Sequence, residues 1–308
     1  VGSLLSRIAR LPGARRLDAA LRRHYTGSAR AERFPRGHYN SPLPGYDEVE
    51  RRAEALFATD VDALPGIDLR VEAQLALLRD VADHVADFDW PAAPSPDHRY
   101  YRENPWFEIG DALALYLMLR RSAPRRVVEV GSGFSSALML DVNERFLDGS
   151  VHFTFIEPYP ERLHALLRDA DRERCRIHEA PVQEVPVSVF DALEARDVLF
   201  IDSSHVSRIG SDVNHLFFEV LPRLAPGVLV EVHDVLWPFE YPRKWVLAGS
   251  AWNEAYLVRA FLQYNDRFEI VWFNSYLAHR QRAALEALAP EVLASPGGSL
   301  WLRSRPAG

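Results

Sequence analysis

The chain is 308 residues long, 48% hydrophobic and 26% charged, enough to bury a sizeable core. Its single cysteine, Cys175, excludes an internal disulfide and a multi-cysteine zinc site, and no apolar run approaches the roughly 18–20 residues that span a bilayer. The formal charge is −7, but residues 1–36 carry nine arginines against Asp18 and Glu32, which leaves −14 for the remainder; so acidic a body argues against nucleic acid as a partner.

In the basic head, Leu4, Leu5, Ile8, Leu11, Leu17 and Leu21 fall at helical spacing. They predict a helix docked on its own or a neighbouring subunit, with binding to an anionic membrane surface as the alternative. Residues 34–46 read as a connector, and helical patterns follow over 48–59 and 69–88. Pro91, Pro94 and Pro96 mark a boundary, so residues 1–95 are expected to be a helical extension that acts as a lid or a homo-oligomer contact. Residues 96–308 then form one catalytic-sized domain. No secretory leader is read at the start of the chain, and a cytoplasmic setting is expected.

Helix 111–121 leads into the most informative stretch, Arg125-Arg-Val-Val-Glu-Val-Gly-Ser-Gly-Phe-Ser-Ser136, where a buried-strand run ends in a carboxylate, two glycines and a helix start. Gly131 and Gly133 let a ligand lie against bare backbone, and the helix expected over 134–146 points its N–H groups at that ligand. A dinucleotide loop would carry a third small residue in the phase G-x-G-x-x-G, where Ser136 stands here. Glu129 at the strand end would repel a pyrophosphate and attract an ammonium group, such as that of S-adenosylmethionine. Next, strand 151–156 ends in Glu157-Pro158, an acid placed for ribose hydroxyls. A short strand over 175–177 precedes Val182 and Gln183, at the edge where an adenine would lie. Helices over 161–169, 189–195 and 211–224 alternate with apolar strands 198–201 and 228–232, ending at Asp202 and at His233-Asp234. Two closing strands, 267–273 and 299–302, flank a helical stretch over 280–293. The alternation predicts an α/β, doubly wound, Rossmann-like seven-stranded sheet, with ligands across the strand C-termini.

Glu129-x-Gly131-x-Gly133, Glu157, Phe200-Ile201-Asp202 and His233-Asp234 occur in the order in which the class I S-adenosylmethionine-dependent methyltransferases carry such residues. From about Trp106 onward the chain resembles that family, particularly the bacterial small-molecule O-methyltransferases related to catechol and macrolide-sugar O-methyltransferases. The resemblance implies a mostly parallel sheet closed by an antiparallel hairpin. It implies that Glu129, Gly131, Ser132 and Gly133 hold the methionine end of the cofactor, Glu157 and Pro158 the ribose, and Val182 and Gln183 the adenine edge, with Asp202 also facing the cofactor. It further implies a small-molecule acceptor.

Methyl transfer to a hydroxyl needs a base, a metal, or both. His205, three residues after Asp202, stands where related enzymes keep their base; capping or ordering a loop is the competing role. Asp202, His233 and Asp234 are the candidate ligands of Mg²⁺. An imidazole at 233 replaces the carboxylate of the catechol-methyltransferase pattern, which leaves Mn²⁺, Fe²⁺ or Zn²⁺ conceivable. The loop 236–245, with Trp237, Phe239 and Tyr241 between prolines, is expected to wall either the acceptor pocket or the core, and Tyr100, Tyr101 and Asn104 to close the same mouth. A nicotinamide-dependent oxidoreductase and a non-catalytic Rossmann-like binding subunit are the competing functions.

Overall fold

Valine-, leucine- and phenylalanine-rich runs form strands here because both faces of a parallel sheet are covered by helices. In the computed structural model, which describes residues 33–306, these are β1 (Arg126–Val130), β2 (His152–Ile156), β3 (Arg176–His178), β4 (Val198–Ile201) and β5 (Leu229–Val232). Every residue of β4 and β5 is buried. With β6 (Phe268–Phe273) and β7 (Leu300–Ser304) they make one seven-stranded sheet in the order β3-β2-β1-β4-β5-β7-β6. Strand β7 slots between β5 and β6 and runs antiparallel to both, with a register shift between Ile270 and Trp272. The strand order reverses direction between β1 and β4, and a crevice opens beyond the strand ends at such a switch point.

Register determines what faces that crevice. Val130 pairs with Ile156 on one side and Ile201 on the other, and Ile201 pairs with Val232. The next residues, Gly131, Glu157, Asp202 and His233, therefore emerge at one level. Helix Ile109–Ser122 is almost wholly buried and packs against helix Phe134–Phe146, the latter with the bounds its sequence pattern predicts.

The chain divides into two compact units at Leu56/Phe57. The described part of the first holds helices Tyr46–Arg51 and Ala53–Leu56. The leucine-spaced head lies outside the described residues. Residues 57–95, read from sequence as part of a separate extension, belong to the larger unit. Helix Val71–Val81 contacts β6, and the Gln74 side chain donates to Leu69 O and accepts from Phe273 N. Trp90 Nε1 donates to Asp141 at 3.0 Å, and the Arg99 guanidinium, 1% exposed, is divided among Asp141, Asp171 and Glu144. Removing a buried partner leaves uncompensated charge. Arg99→Met is therefore expected to lower stability by about 3–5 kcal/mol in urea unfolding, and a loss under about 1 kcal/mol would refute that account.

Several helices are shorter than their patterns suggest. The stretch 211–224 is a capped turn (Asp212–His215), a π segment (Leu216–Val220) and a 3₁₀ turn (Leu221–Arg223). The helix expected over 280–293 is two pieces, Arg282–Leu288 and Pro290–Ala294, the last opened by a proline, which has no N–H, and a further helix, Asn274–Arg280, precedes them. Among the described residues no helix is long and apolar enough to cross a membrane.

Candidate active site

Above the strand ends lies a cavity of about 750 Å³, lined by the Gly131–Ser135 loop, Glu157, Asp202–His205, His233, Asp234, Trp245 and Trp252 among others. The loop owes its course to Gly131, which has φ +82°; a Cβ there would lie 1.7 Å from Asp202 O. Backbone meets backbone at that point, so no side chain fits.

Glu129 does not reach the cavity. Strand alternation turns its fully buried side chain toward the start of helix Phe134–Phe146, where Ser135 Oγ donates to it at 2.6 Å and Ser136 Oγ donates to its other oxygen. Ser136 Oγ also accepts from Gly133 N, so the side chain that breaks the dinucleotide pattern ties the strand to the loop. Burial pushes the Glu129 carboxyl up to about 8 against the pull of these hydroxyls. The expected role as ammonium holder is corrected: Glu129 shapes the loop from behind. Glu157, by contrast, lines the cavity, with its carboxylate oriented by Ser132 N at 3.0 Å and Tyr159 N at 2.8 Å. Pro158 is exposed and off the wall. Val182 and Gln183 are also displaced from the expected place, since the 3₁₀ turn Val182–Glu184 buries Val182 and ties the Gln183 amide to Gly210 O at 2.8 Å.

On the other side of the cavity, His205 is the hub. Its Nδ1 lies 2.9 Å from Glu254 Oε2, and its Nε2 is 3.3 Å from Asp202 and 3.6 Å from Asp234. His205 O accepts from Asn253 N and Glu254 N, so the start of helix Glu254–Leu262 grips the residue by both backbone and side chain. This hold supports a left-handed backbone, φ +57°, at a residue that is not glycine. Burial disfavours the charged imidazole, but Asp202 and Glu254 outweigh it and raise the group to about 10. Burial likewise pushes the Asp202 carboxyl up, yet His233 and His205 carry it below the usual range. Asp234 is raised by burial.

These facts bear on the metal. His233 packs against the Phe107 and Phe200 rings, and its Nδ1 is 3.4 Å from Glu231. Despite burial, Asp202, Asp111 and Asp234 raise it well above an ordinary histidine. The space between Asp202 and Asp234 is bridged by the His205 imidazole instead. Among the described residues no group of three or more His, Cys, Asp or Glu side chains is arranged to hold a metal ion. The expected Asp202–His233–Asp234 ligand set is therefore corrected: these residues do not fit a divalent cation.

The aromatic loop mostly serves the core. Trp237, Phe239 and Tyr241 are buried, with Trp237 Nε1 donating to Thr59 O and the Tyr241 hydroxyl accepting from Ala255 N. Only Leu236 and Trp245 of that loop reach the cavity, joined by Trp252, whose ring lies 4.5 Å from that of His205. Tyr100 and Asn104 hold the backbone at Phe107, and Trp106, Phe107 and Glu108 take the rim positions expected of them. Sequence reasoning missed Glu254 and Asp111. Glu254 looks like an ordinary first-turn acid, and only the fold carries it across 49 positions to His205. Asp111 opens a helix in sequence, but its Oδ1 accepts from Gly298 N and Ser299 N and fixes the loop beneath Asp234.

Residues 128–235 match the model of a family described as a methyltransferase domain. An uncharacterized protein of Archaeoglobus fulgidus is 40% identical over 169 residues, covering 52% of this chain and 74% of that protein. The chain carries a methyltransferase domain over residues 128–235. That domain does not favour the nicotinamide-dependent reading. Among solved structures, the methyltransferase chain is similar to the O-methyltransferase TomG of Streptomyces achromogenes, in complex with S-adenosylmethionine. That match has a TM-score of 0.42 at 16% identity and covers 84% of this chain and 96% of TomG. It is also similar to the S-adenosylhomocysteine-bound methyltransferase PaMTH1 of Podospora anserina, with a TM-score of 0.42 at 14% identity, covering 86% and 99%.

Proposed function

We propose that this methyltransferase acts on a hydroxyl group of a small molecule, a secondary metabolite or a glycosyl group, with His205 as the proton acceptor and Glu254 as its orienting carboxylate. The observation that carries the reading is the His205–Glu254 pair at the cavity wall, with Nδ1 tied at 2.9 Å and Nε2 on the side of the two strand-end aspartates. That is a base with its orienting group, the arrangement that takes a proton from a weak nucleophile.

The cofactor supplies, when bound, an electrophilic methyl group on a sulfonium. The chain suits it on three counts: bare backbone at Gly131, the preset Glu157 carboxylate, and a cavity within the range of small-ligand sites. His205 accepts the hydroxyl proton at Nε2, and Glu254 stabilises the imidazolium that results. Trp245 and Trp252 exclude water beside the reacting groups and hold the acceptor in line. A small acceptor, rather than nucleic acid, fits the acidic body, and a cytoplasmic setting fits the single unpaired Cys175.

The test is calorimetry with S-adenosylhomocysteine, followed by a methyl-transfer assay over alcohols, phenols and sugars. Absence of affinity for the nucleoside would overturn the reading. Glu157→Ala removes the charged acceptor for the ribose, and its affinity for the nucleoside is expected to fall about 10–100-fold; an unchanged Kd would remove Glu157 from the cofactor site.

A further inference from the structure

Trp252, Asn253 and Glu254 are consecutive, and all three meet the loop that carries His205. The Trp252 ring lies 4.5 Å from the imidazole and is itself met edge-on by Tyr241 and Trp245. Glu254 holds Nδ1 at 2.9 Å. Between them the half-buried Asn253 stands at the N-cap of helix Glu254–Leu262, where an asparagine ordinarily accepts from an N–H of its own first turn. It makes no such cap. Its amide is turned to a different segment and meets both backbone groups of one residue there: Ser207 N donates to Oδ1 at 2.6 Å, and Nδ2 donates to Ser207 O at 3.2 Å.

The helix start is served from elsewhere. Glu254 N donates to His205 O at 3.1 Å and Ala255 N to the Tyr241 hydroxyl at 3.0 Å, which releases the asparagine side chain from capping. What the amide does instead is fix the middle of the His205 loop. The two ends of that loop are held from within, by Ser204 on Asp212 and by Ser211 and Asn214 on Arg208. Between them, among the described residues, every hydrogen bond made by the backbone of His205 and Ser207 runs to Asn253 or Glu254. Asn253 N also donates to His205 O at 3.0 Å, so this one residue grips the chain on both sides of Val206. A left-handed residue that is not glycine, such as His205 at φ +57°, persists only where its surroundings hold it. A side-chain amide suits that hold, because it presents a donor and an acceptor in one plane, as a peptide group does.

We propose that Asn253 is a positioning residue, which keeps the His205 imidazole in place at the cavity wall by pinning Ser207. The proposal rests on the reading of His205 as the proton acceptor and adds the residue that sets where that acceptor stands. Position matters here, since a misplacement of about 1 Å at a reacting group can cost about 10²-fold in rate.

The experiment observes the His205 ring in the full chain by NMR with ¹³C-labelled histidine, its signals assigned by their loss in His205→Ala. In the wild type the ring protons are displaced by the ring current of Trp252 and share a cross-peak with it. Asn253→Ser and Asn253→Asp both retain a residue that caps helices as well as asparagine does, but serine is too short to meet both Ser207 groups and aspartate has no N–H for Ser207 O. The serine variant is expected to lose the displacement and the cross-peak, the aspartate variant to lose part of them, and both to keep their affinity for S-adenosylhomocysteine within about twofold. Unchanged ring signals in Asn253→Ser would overturn the proposal, because Asn253 would then only begin a helix. Loss of S-adenosylhomocysteine affinity in step with the ring signals would overturn it as well, since the residue would then support the whole site. A further check needs no variant: the Ser207 N–H of the wild type should resist hydrogen exchange, and exchange as fast as that of an open loop sinks the proposal. Unchanged turnover in His205→Ala removes the proton acceptor and leaves the pinning of Ser207 untouched, so the two failures are told apart.

Discussion

Replacing His205 by Ala is expected to lower kcat by about 10²–10⁴-fold while the affinity for S-adenosylhomocysteine changes little, because a positioned base acts on the acceptor's proton and not on the donor. The pH profile gives the sharper test. His205 accepts a proton only when neutral, and its pairing with Asp202 and Glu254 raises it to about 10 despite burial. Activity of the free enzyme should therefore climb as pH rises from neutrality and level off only near that value. Glu254→Gln removes one of the two carboxylates that favour the charged form. The profile should then level off at lower pH, nearer the ordinary imidazole value, while kcat falls because the ring loses its orienting partner. A merely structural Glu254 would lower activity without moving the profile. A flat profile across this range in the wild type would remove His205 from the role.

Gly131→Ala is expected to abolish measurable donor binding and to cost stability as well. Two costs coincide at this position. A positive φ of +82° disfavours any side chain, and the added methyl group would sit 1.7 Å from Asp202 O, where a backbone atom cannot swing away. The ends of β1 and β4 must separate to admit it, so the loop and Asp202 move together. Gly210→Ala separates the two costs: its φ is +71°, but nothing lies within 4 Å of the new methyl group. That variant should lose about 1–2 kcal/mol from backbone strain and keep full affinity for S-adenosylhomocysteine. Equal behaviour of the two variants would show that strain, and not the contact with Asp202, accounts for Gly131.

The parallel strands, the glycine loop and the order of acids at the strand ends are legible in the sequence. A buried strand between helices must be apolar on both faces, and a turn with positive φ needs glycine; both are local requirements that leave a mark at their own positions. Glu157, Asp202, His205 and Asp234 could be found because each stands directly after such a strand or a few residues beyond it. The role of Glu129 could not be, since the same residue at a strand end serves equally well facing a ligand or facing two serines, and only the turn of helix Phe134–Phe146 decides between them. The aromatic loop is similar: Trp237, Phe239 and Tyr241 pack equally well against a substrate or a core, and the neighbouring surfaces put them in the core.

By itself, then, the sequence determined the sheet, its switch point and the level at which polar side chains emerge, because backbone geometry and hydrophobic periodicity act over a few residues. The tertiary structure alone decided which charges meet. Glu254 reaches His205, Asp111 reaches the loop beneath Asp234, and Arg162 crosses Gly133 only after distant segments close on one another. Electrostatic interaction depends on distance and burial, and neither quantity is written in residue order.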